Sequence, residues 1–76
     1  MKIHLKGITK HGKDRVHQKG SLWRVLSAQN TCHTTKHRGL SGPFFLIQPD
    51  AEGVLDMRWV SANDDPDFEV SKIDNE

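Results

Sequence analysis

Hydrophobic and polar positions alternate strictly at the start of the chain. Ile3 and Leu5 fall on one side, Lys2, His4 and Lys6 on the other. That period of two belongs to a half-buried strand, and Gly7 ends it. The period returns from Ser21 to Gln29, with Trp23 and Val25 on one face and Leu22, Arg24 and Leu26 on the other. Phe44 to Gln48 is apolar on both faces, which predicts the most buried strand, with Pro43 at its opening position. Pro49-Asp50-Ala51-Glu52-Gly53 has the composition of a turn. From Val54 to Ser61, Leu55, Met57 and Trp59 point one way and Asp56 and Arg58 the other. This predicts a fourth strand, paired with the third as a hairpin. Asn63-Asp64-Asp65-Pro66-Asp67 reads as a second turn, in which Pro66 biases Asp65 toward extended geometry. Phe68 to Val70 forms a short fifth strand, and Ser71 to Glu76 a polar, frayed tail.

Between the first two strands only Val16 offers a clear apolar anchor. Lys13 to Lys19 fits one or two helical turns stopped by Gly20. Asn30 to Gly42 is rich in Thr, His, Ser and Gly, and reads as a long loop. The pattern predicts a mainly β or small α+β protein. Five short strands form a bent antiparallel sheet or an SH3-like or OB-like small barrel, whose closure would protect its edges, with a short helical turn after strand 1; in the α+β alternative the helix packs on an open sheet. The inward set is Ile3, Leu5, Val16, Trp23, Val25 and Phe45 from the first half of the fold. Ile47, Leu55, Met57, Trp59, Phe68 and Val70 complete it.

The chain has 76 residues. It therefore reads as one domain over 1–71 with a frayed acidic tail over 72–76, and its small core buries about 60% of the unfolded surface. A single cysteine, Cys32, excludes an internal disulfide. The longest apolar run, Phe44 to Ile47, is four residues, far short of the ~18 of a membrane span. The expectation is a cytoplasmic protein without catalytic activity, cofactor or small-molecule substrate, because an enclosed pocket would consume core volume this chain can hardly spare.

Charge adds the strongest functional signal. Through Gly42 there are nine Lys/Arg and one acid, Asp14; from Pro43 onward there are nine acids and two bases, Arg58 and Lys72. The net charge of +1 hides halves of opposite sign. Such asymmetry suggests a polyanion or an acidic protein as partner. The basic candidates are Lys6, Lys10, His11, Lys13, Arg15, Lys19, Arg24, Lys36 and Arg38. They would contact DNA or RNA by neutralising phosphates, with salt-dependent affinity and little sequence preference. Against this stands a solvated face balanced by the acidic half. The chain has no Tyr, and its few aromatics alternate with aliphatics as core residues do, so a stacking platform for single strands is thin. The alternative is a protein–protein adaptor or inhibitor acting through a sheet face, an edge or a charged pole.

Other constellations are weaker. Cys32, His33 and His37 are zinc-ligand types, but Cys32 and His33 are adjacent and diverge in an extended segment; His11 or His17 would have to supply a fourth ligand. No metal site is therefore assigned, and a Cys–His nucleophile pair has the same poor geometry. The acidic turn lacks the Gly and distal Glu of a calcium loop and reads as capped turn chemistry.

The run Lys6-Gly-Ile-Thr-Lys-His-Gly-Lys-Asp-Arg-Val-His-Gln-Lys-Gly-Ser-Leu-Trp-Arg-Val25 has a rhythm of Gly-x-Thr-Lys-x-Gly-Lys, then Arg-Val, then Gly and Trp-x-Val. Gly42-Pro43-Phe44, Arg58-Trp59-Val60 and Asn63-Asp-x-Pro-Asp-Phe68 continue it. This pattern resembles small uncharacterised proteins encoded by phages and prophages. The resemblance implies a viral or prophage origin and a compact binding protein. It transfers no activity and no site residues, and it implies one of two roles: handling nucleic acid, or binding a host or phage protein to alter transcription or blunt defence.

Overall fold

The computed structural model describes residues 1–31 and 39–73. Its elements are β1 (Lys2–Gly7), α1 (Lys10–Lys19), β2 (Leu22–Gln29), β3 (Phe44–Pro49), β4 (Arg58–Ser61) and β5 (Phe68–Ile73). All strand pairs are antiparallel, in the order β4-β3-β2-β1-β5. The sheet curls into a half-barrel with one helix after the first strand, as the alternation pattern predicts. β4 and β5 lie at the two ends of the order and do not pair with each other. A register shift between Val25 and Ser27 bulges β2 opposite β3; such a bulge bends a strand and adds twist.

Residues paired directly across an antiparallel ladder share a face. Ile3 opposite Trp23, Trp23 opposite Pro49, Val25 opposite Ile47, and Phe45 opposite Val60 trace the concave side. The core there consists of Ile3, Leu5, Trp23, Phe45, Ile47, Val60 and Phe68, with Val16, Val25, Ala62 and Val70 packed against it. The Trp23 indole N–H donates to the Gly20 carbonyl at 2.9 Å, so this buried ring leaves no polar atom unpaired.

Three expected core positions are wrong. Leu55 is 79% exposed and Met57 59%, and Trp59 lies opposite Leu46 on the convex face. β4 does not run from Val54; it starts at Arg58. Pro49 supplies the reason. Asp50 N donates to Leu22 O on the β2 side, so by alternation position 49 would direct an N–H toward β4. Proline has none, and the β3–β4 ladder stops there. Residues 54–57 are left outside the sheet, and the inward residues of β4 are Arg58 and Val60.

Two further elements are longer than expected. α1 begins at Lys10 instead of Lys13, because Thr9 accepts from Gly12 N at 3.1 Å as an N-cap. Its C-terminal stop is as expected: Gly20 has φ +91° and its N–H donates to Val16 O. β5 runs to Ile73, with Lys72 opposite Ile3 and Ile73 opposite Lys2. Residues 72 and 73 are therefore strand, not frayed tail.

Candidate phosphate-binding cleft

α1 carries Gly12 mid-helix, where glycine costs about 1 kcal/mol against alanine. Packing explains its presence. Gly12 is buried, and a Cβ there would overlap the Asp67 carbonyl. Gly7 meets the backbone of Gly12 and Lys13 in the same way. The helix thus lies backbone to backbone against β1 and the β4–β5 turn. Ile8 N donates to Asp67 O at 2.8 Å, and the Thr9 hydroxyl donates to Asp67 Oδ1 at 2.7 Å.

That docking buries Gly12 and leaves the neighbouring stripe of the helix facing a cleft. His11, Arg15 and Lys19 are spaced by four and share a face. They line a cleft of about 390 Å³ whose other walls are Trp23, Asp56, Met57 and Arg58. Asp56 pairs with Lys19. Lys19 holds the Asp56 carboxyl below its ordinary value, and Arg15 contributes in the same direction.

Arg58 reaches this cleft from the core side of β4, opposite Ile47. Its guanidinium carbon sits 4.5 Å from the centre of the Phe68 ring, a cation–π distance. Its Nε is buried without a hydrogen-bond partner among the described residues. Burial above all lowers its proton affinity; Asp65 opposes that effect, Arg15 adds to it, and Asp67 opposes it. The group stays charged throughout the working pH range.

The carboxylates of the acidic half are largely engaged elsewhere. Asp65 is buried and accepts from Ser61 N at 3.1 Å and Asp67 N at 3.0 Å. Asp64 Oδ2 accepts from Ser41 N at 3.1 Å, and Ser61 Oγ donates to Ser41 O at 3.0 Å. The turn over 61–67 is therefore a side-chain-capped clasp that fastens residues 41–43 to the β4–β5 connection. Asp50 lies on the other side of the molecule, 3.0 Å from Lys2 Nζ and 3.6 Å from Arg24 Nε.

The basic residues singled out in the sequence thus separate. His11, Arg15 and Lys19 meet at the cleft; Lys10 and Lys13 are exposed on the same helix. Lys6 is on the convex face of β1, opposite Glu69. Arg24 is also convex, hydrogen-bonded to Gln48 at 2.9 Å and paired with Asp50. Lys36 and Arg38 lie outside the described residues, as do Cys32, His33 and His37. Among the described residues no group of three or more His, Cys, Asp or Glu could hold a metal ion, and no helix is long and apolar enough to cross a membrane. Sequence reasoning missed Arg58, Asp56 and Met57 as site residues. The four-residue spacing of His11, Arg15 and Lys19 was a readable signal, given a helix capped by Thr9 and starting at Lys10; nothing in the alternation pointed to Arg58. No family model, curated protein or solved structure matches this chain.

Proposed function

We propose that the protein is a small non-enzymatic binding module that contacts nucleic acid through α1 and the cleft beside it. One observation carries the reading. α1 holds Lys10, Lys13, Arg15 and Lys19 against a single acid, Asp14, while in the second half Asp64 and Asp65 accept from backbone N–H groups and Asp50 and Asp56 pair with Lys2, Arg24 and Lys19. Lys10, Lys13 and Arg15 are exposed and, among the described residues, without an ion-pair partner. A cationic helix held rigidly on a curled sheet neutralises phosphates by counterion release and reads little sequence.

Fluorescence anisotropy with labelled DNA and RNA oligomers across a salt series tests this. Binding weakens linearly in log[salt]. Lys10→Glu/Lys13→Glu/Arg15→Glu abolishes it, whereas Arg24→Glu leaves it nearly intact. No binding of the wild-type chain at low ionic strength refutes the reading.

A second reading, a protein–protein adaptor or inhibitor, draws on the exposed Leu55 and Met57 next to the cleft. Capture of a specific protein from nuclease-treated bacterial lysate, lost in Leu55→Ser/Met57→Ser, supports it over the first.

A further inference from the structure

We propose that the cleft between α1 and Arg58 binds a phosphomonoester carried on a nucleoside, either at a strand end or as a free nucleotide. This deepens the nucleic-acid reading and rests on it for the strand-end case. Three features of the cleft lead to it.

The first is charge. Arg15, Lys19 and Arg58 bring three cations to the cleft and Asp56 one acid, a local balance of +2. Asp65 and Asp67 act on Arg58 but do not line the cleft. A bridging phosphodiester carries one negative charge, whereas a phosphomonoester carries about −1.5 to −2 at pH 7. The cleft matches the monoester, and His11 contributes a further ring N–H.

The second is the donor geometry of Arg58. The guanidinium carbon is held 4.5 Å from the centre of the Phe68 ring, and its buried Nε has no hydrogen-bond partner among the described residues. An arginine positioned in advance against a ring and lining the cleft suits the forked recognition of phosphate oxygens and loses little entropy on binding. Arg15 acts on it from the facing helix, so an anion between the two relieves like-charge repulsion.

The third is size and lining. A cleft of about 390 Å³ lies at the small end of the roughly 300–1,000 Å³ of ligand sites. It admits one nucleotide unit, not a length of duplex. Met57, 59% exposed at the rim, offers a soft apolar contact for a ribose or base.

The test compares one oligonucleotide in three forms, 5′-phosphorylated, 3′-phosphorylated and with hydroxyl ends, alongside nucleoside 5′-monophosphate and the unphosphorylated nucleoside. Binding of all five to the full chain is followed by amide NMR. A phosphorylated end is expected to bind about tenfold more tightly than a hydroxyl end. The nucleotide, and not the nucleoside, is expected to shift resonances of Arg15, Lys19 and Arg58. Arg15→Gln, on the exposed helix surface, removes the preference; Arg58→Lys does so without deleting the charge, and retained amide dispersion shows that the variant is folded. Oligomers that bind equally with and without a terminal phosphate overturn the strand-end case while leaving the general nucleic-acid reading intact. Oligomers that do not bind, with a nucleotide that does, refute the general reading and support the free-nucleotide case. Absence of any nucleotide-induced shift at these three residues, with no terminal preference, overturns the proposal entirely.

Discussion

The guanidinium of Arg58 lies 4.5 Å above the ring of Phe68, on the face of β4 where simple alternation places Trp59's neighbours in solvent. A charged side chain takes an inward position and a tryptophan an outward one. Arg58→Ala should therefore cost about 1–2 kcal/mol, the worth of a partly desolvated cation–π contact plus its packing. Chemical denaturation measures this; a loss under about 0.3 kcal/mol would show that the stack contributes nothing.

The two tryptophans should differ in the same assay. Trp23 is 2% exposed and hydrogen-bonded, so Trp23→Ala should cost about 3–5 kcal/mol and could unfold so small a domain. Trp59→Ala should cost less than half as much. Equal costs would contradict the observed register of β4.

Gly12→Ala tests the docking of α1. Propensity alone predicts a gain of about 1 kcal/mol. Overlap with the Asp67 carbonyl predicts a net loss instead, together with faster hydrogen exchange over Lys10–Lys19. A stabilised variant would mean that the helix does not approach Asp67 so closely.

Thr9 and Asp67, 58 residues apart in sequence, share a hydrogen bond at 2.7 Å. Thr9→Ala should cost about 1 kcal/mol as a lost N-cap. A double-mutant cycle with Asp67→Ala should give a coupling of about 0.5 kcal/mol or more. Additive losses would show that the cap and the turn act independently.

Asp56 supplies a pH prediction. Lys19 holds its carboxyl below the ordinary 3.8. A folded-state value depressed below the unfolded one stabilises above the unfolded value, and the contribution disappears as pH falls through the folded value. Carboxyl NMR titration should place the Asp56 midpoint below 3.8, and Lys19→Ala should raise it. Asp56→Asn frees Lys19 for phosphate, so oligonucleotide binding should tighten and its salt slope steepen by about one unit. Unchanged binding would place the contact surface away from this cleft.

Strand content, order of elements and most of the core followed from the sequence by itself. Period-two alternation at Ile3 and Leu5, or Trp23 and Val25, reports the face a strand must bury, and a glycine after Lys19 marks where a helix must end. These are local constraints, written in neighbouring residues. The half-barrel's open seam, the inversion of β4 and the cleft were decided by tertiary structure. Pro49 withholds one N–H from a strand that begins nine residues downstream. Gly12 makes room for a carbonyl from the far end of the chain. Part of a basic run gathers at a cleft only where the fold carries Arg58 to meet it, while backbone amides occupy Asp64 and Asp65, carboxylates that charge counting alone would have set against it. Such pairings join residues far apart in the chain, so no window along it contains both partners.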